Sequence, residues 1–126
     1  MIILYFEASI PFSDVKDKNK YTVDHVIPVS AAVSEYKGGS SIENLILNPV
    51  TLITRESDDL LRKAGLVKSG YSFEFPFRRY KTVDIEIKDL HGREIDCENY
   101  SMDDHFDLIQ RIPELQRVVY EINHSN

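Results

Sequence analysis

The chain has 126 residues, 42% of them hydrophobic and 29% charged, a balance that fits one soluble domain with its own core and excludes a disordered or fibrous protein. Its net charge of -6 argues against indiscriminate binding to polyanions, because such binders neutralise phosphates with a basic face. The single Cys97 closes no internal disulfide and forms no CxxC zinc pair, and no apolar run approaches the length of a membrane span.

Along the chain, "IILYFEA" reads as a strand or a short helix, its apolar run being too short for periodicity to decide. With no basic leader before it and Glu7 and Asp14 close behind, it does not read as a signal peptide, and a cytoplasmic location is expected. "YTVDHVI", rich in β-branched and aromatic residues, reads as a strand over 21–27 that Pro28 closes. A small, polar, Gly-rich connection follows. A second strand is expected over 44–53, antiparallel to the first, with a break at Pro49. "TRESDDLLRKAG" then has the marks of a helix over 55–64: Thr54 as N-cap, acids in the first turns, Arg62 and Lys63 near the end, and Gly65 as the stop.

The second half predicts a strand in "YSFEFPF", where Tyr71, Phe73, Phe75 and Phe77 alternate, and a hairpin in "TVDIEIKDLHGREIDCEN" that turns near His91 and Gly92. Ser101 followed by Met102, Asp103 and Asp104 opens a helix that ends before Pro113. The tail "ELQRVVYEIN" reads as a further helix or an edge strand.

Chemistry concentrates at Asp24 and His25, adjacent in a strand and so directed to opposite faces. A carboxylate suits a hard divalent cation, and a neutral imidazole suits a base that takes a proton from water near neutral pH. Downstream, Asn44 and Asn48 add amides, and Asp58 and Asp59 add acids. Each also has a plain structural role, the amides as turn or cap residues and the acids as charges offsetting a helix dipole.

The succession "DHVIPVS", a Gly-rich loop, "SIENL" and a helix resembles the HNH endonucleases over residues 21 to about 65. That resemblance implies an α+β fold with a ββα-metal (HNH-like) core in residues 21–65, followed here by the hairpin and C-terminal helix in one domain. It further implies hydrolysis of a nucleic-acid phosphodiester, DNA first, with one divalent ion (Mg²⁺ or Mn²⁺) as cofactor. Asp24 maps to the metal ligand and His25 to the general base. Asn44, or Asn48 through the phrase "NPVTLI", maps to the residue that orients the base. The final ligand position falls on Ile53 counted from Asn44 and on Ser57 counted from Asn48, neither a good ligand, while Asp58, one step beyond, is chemically suitable and becomes the second metal ligand through a small register change or bulge at Pro49. This departure, with the net charge of -6, motivates a second class of function: a catalytically silent, HNH-like protein-interaction module or acidic inhibitor in a defence system.

"FPFRRYK" interleaves aromatics with Arg78, Arg79 and Lys81, a composition that can stack bases and contact phosphates, although alternating aromatics also build cores. A protein partner that supplies positive charge is the other expected contact, and no membrane is. His91 reads as a turn residue, His105 as a first-turn helix residue, His124 as part of the terminus, and Cys97 as an inert thiol.

Overall fold

The computed structural model describes residues 3–17, 19–28, 48–67 and 72–115. They form an α+β protein around a four-stranded mixed sheet. The strands are β1 (Tyr5–Glu7), β2 (Tyr21–His25), β3 (Val50–Thr54) and β4 (Ile87–Asp89), in the spatial order β2-β3-β1-β4. The helices are α1 (Arg55–Lys63), α2 (Arg78–Thr82) and α3 (Met102–Gln110), with a single 3₁₀ turn at Phe12–Asp14. β1 runs parallel to β3 and antiparallel to β4, while β2 is antiparallel to β3.

β2 and β3 form where β-branched and aromatic residues cluster, and both begin inside the expected segments. β2 stops at His25, two residues before the expected end, and β3 begins only after Pro49, whose ring offers no backbone donor. The rest of the expected second strand, residues 44–47, lies outside the described residues, as does the Gly-rich connection.

α1 follows β3 directly. The Thr54 hydroxyl accepts from the Ser57 amide at 3.1 Å, and the Glu7 carboxylate accepts from both the amide and the hydroxyl of Thr54 at 3.2 Å, fastening the helix start to β1. At the other end Gly65 takes φ +73°, a left-handed conformation that costs a glycine little, and the Gly65 and Leu66 amides return to the Arg62 and Leu61 carbonyls. α3 opens with a reciprocal capping box between Ser101 and Asp104.

The two faces of the sheet are unequally covered. One packs Tyr5, Ile53 and Ile87 against Leu61 of α1, Phe77, Tyr80 of α2, and Leu108 and Ile109 of α3, forming the main core. The other carries a smaller cluster of Phe6, Ile10 and Leu52, flanked by Val15, Tyr21 and Val23. Each large apolar side chain so buried contributes on the order of 2 kcal/mol.

Two expectations for the second half are corrected. Residues 72–77 form bends and turns rather than a strand: Phe77 enters the core, Phe75 lies half-buried under the Arg78 guanidinium at 4.1 Å, and Phe73 is exposed, so the aromatics follow separate contacts rather than a pleat. In the expected hairpin only Ile87–Asp89 is a strand, and it pairs with β1. Val83 instead caps α2 and Asp84 takes φ 58°, which breaks the first arm. The returning arm contributes one bridge, Lys88 with Glu94. The turn itself falls where expected, with Gly92 at φ +80°.

Candidate functional site

Register places Asp24, Thr51, Tyr5 and Asp89 in one row across all four strands. The row lies on the face covered by the helices, so alternation turns Asp24 toward α1 and α2, and His25 to the opposite face beside Val50. Asp24 is 8% exposed and His25 is half-buried.

Around Asp24 the structure builds a clamp. Arg79 Nη2 donates to Asp24 Oδ2, and the Tyr80 hydroxyl donates to the same oxygen at 2.5 Å. Arg79 Nη2 also donates to the His25 carbonyl at 2.8 Å, and Nη1 to the Leu66 carbonyl at 3.0 Å. One guanidinium from α2 thereby binds the end of β2 and the segment after α1. Arg79 is 1% exposed, and its Nε finds no hydrogen-bond partner among the described residues. Burial pushes the Asp24 carboxyl above its ordinary pKa. Arg79 and then Tyr80 pull it down, and the Asp58 carboxylate adds a smaller upward push. Burial, followed by the charge of Asp24, raises the Tyr80 phenol well above its ordinary value, so it stays a donor.

The placement of the other sequence candidates separates them into groups. Asp58 sits on α1 within electrostatic reach of Asp24, and its Oδ2 accepts from Arg62 Nε at 2.9 Å. Asp59 is exposed. Asn44 lies outside the described residues, and Asn48 is half-buried just before β3. Arg78 and Lys81 are exposed on α2. Arg79, expected beside them on a nucleic-acid surface, is instead in the core, because consecutive residues of a helix point in different directions and this one meets a buried carboxylate. His105 stands in the first turn of α3, as expected, and is buried there. It is 1% exposed, with Nδ1 at 2.7 Å from the Tyr5 hydroxyl, which also lies 3.0 Å from that of Tyr100. Burial lifts the Cys97 thiol to about 11, in keeping with an unreactive cysteine.

A divalent ion held by Asp24 and Asp58 fits these side chains poorly. A fixed guanidinium already contacts the Asp24 oxygen and would repel a second cation at coordination distance. Among the described residues no three His, Cys, Asp or Glu side chains converge as a metal-binding group. The residues that sequence reasoning missed are Arg79 and Tyr80 as partners of Asp24. No local signal marks them, since strand β2 and helix α2 are far apart in the chain.

Comparison with protein-family models, with curated proteins and with solved structures gives no match, so the chemistry of the site is argued from its geometry.

Proposed function

We propose that the chain is an HNH-like ββα scaffold that acts by binding rather than by hydrolysis. The carrying observation is the clamp: the Asp24 carboxylate is committed to Arg79 and Tyr80. The partner suited to a net charge of -6 is a basic protein surface. Its charge would be met by the depression of about 300 Å³ beside β4 and α3, where Asp89, Glu94, Asp96, Asp104 and Asp107 outnumber two arginines.

A second reading is HNH-type hydrolysis of a nucleic-acid phosphodiester, favoured by the β2–β3–α1 order, the direction of Asp24 toward α1 and the half-buried His25 at the strand end. There His25 would take a proton from the attacking water, a divalent ion would stabilise the developing charge, and Arg79 would first have to leave Asp24.

Plasmid DNA and single-stranded RNA incubated with Mg²⁺ or Mn²⁺ separate the two. The binding reading expects no turnover by the wild type. Cleavage that falls by roughly 10²- to 10⁴-fold in His25→Ala, the range for loss of a general base, would overturn it.

A further inference from the structure

We infer that Arg79 is the resident cation of the β2–β3–α1 unit: its guanidinium occupies the carboxylate that the motif offers to a metal, making the unit metal-independent and dependent on the C-terminal half. The inference rests on the clamp and not on the binding reading, so the hydrolysis assay and the measurements below can fail separately.

Two observations converge on it. A carboxylate as buried as Asp24 needs a counter-charge or a proton, and Arg79 is the cation that contacts it. The same guanidinium bonds the His25 and Leu66 carbonyls, so it spans the end of β2 and the exit from α1, bridging elements as a bound ion would.

The arrangement gives residues 72–115 a definite role. α2 carries Arg79 and Tyr80 side by side and reaches Asp24 only when Phe77 and Tyr80 are seated in the main core. The first half is then completed by a charge supplied from the second. Arginine suits this position because its rigid planar fork holds separate donors toward acceptors on two segments, a geometry that the compact ammonium of a lysine does not reproduce.

The test uses the full chain as wild type, Arg79→Met, Asp24→Asn, the double variant Asp24→Asn with Arg79→Met, and Arg79→Ala. Thermal melts are run with EDTA and with millimolar Mn²⁺, and Mn²⁺ uptake is followed by electron paramagnetic resonance. The wild type should melt at the same temperature in both and take up no Mn²⁺ that Asp24→Asn abolishes. Arg79→Met should melt lower by on the order of 10 °C, as expected when one member of a buried pair is removed. The double variant should recover most of that loss, since a neutral amide needs no cation. Arg79→Ala, which leaves space at the carboxylate, should be stabilised by Mn²⁺. Should Arg79→Met fail to fold, its contrast with the double variant still decides. A double variant no better than Arg79→Met, an Asp24-dependent Mn²⁺ site in the wild type, or an Arg79→Ala indifferent to Mn²⁺ would each overturn the inference.

Discussion

Asp24 and Asp89 stand at the two ends of one cross-strand row, both nearly excluded from solvent, and are satisfied in opposite ways. Asp89 accepts from the amides of His91 at 2.8 Å and Arg93 at 3.1 Å, groups of its own turn. Asp24 is met by Arg79 and Tyr80, which arrive from another part of the chain. A carboxylate held by its own turn organises local backbone, whereas one held by a distant guanidinium joins two halves of a fold. The first loses a little when cut, and the second loses the junction.

The contrast breaks most visibly at Arg79. Arg79→Met should cost about 3–5 kcal/mol, the range for orphaning a buried charge, measured by chemical denaturation. A loss as small as that of an exposed ion pair would erase the distinction between the two ends. Acidity sharpens it further. The folded chain holds the Asp24 proton more tightly than the unfolded chain, and Arg79→Met removes the main downward pull on that pKa. The stabilisation attached to the protonated form is complete below the unfolded value of about 3.9 and is lost as pH rises through the raised folded value. The melting gap between wild type and Arg79→Met should therefore be narrow near pH 4 and widen toward neutrality, and a gap indifferent to pH would count against a charge effect. Asp89→Ala should cost about 1 kcal/mol, because the amides it frees belong to an exposed turn where water can replace the carboxylate. The smallest change belongs to Asp58→Asn, which loses an i,i+4 pair to a largely exposed Arg62: a few tenths of a kcal/mol, within the scatter of a denaturation curve.

The same division explains what the amino-acid sequence discloses. Thr54 and Ser101 read correctly as N-caps, Gly65 as a stop and His91-Gly92 as a turn, since each works through neighbours within a few residues. β2, β3 and their antiparallel pairing followed from patterning on either side of Pro49. The alternating aromatics of 71–77 misled, because Phe75 and Phe77 satisfy a cation and a core instead of a sheet, and Tyr71 lies outside the described residues. Arg79 was illegible for a stronger reason. A basic residue in a basic triplet looks like a solvated surface until the fold brings a buried acid to it. Asp24 stands out as a carboxylate within an apolar strand, and what a local pattern cannot specify is which cation answers it.

β1 has a consequence for the order in which the molecule is assembled. It precedes both of its sheet neighbours in sequence and is interior in the sheet, its Tyr5 flanked by Thr51 on one side and Asp89 on the other. Neither neighbour exists when β1 leaves the ribosome, so the strand has to wait with both edges unpaired until β3 and then β4 arrive. Contacts so distant in sequence slow folding, and an unpaired apolar strand is the stretch most exposed to wrong partners during that delay. Seating β1 also brings the Tyr5 hydroxyl to Tyr100 and His105. The near-ultraviolet signal of these tyrosines should therefore appear in the slowest refolding phase, after the helices have formed.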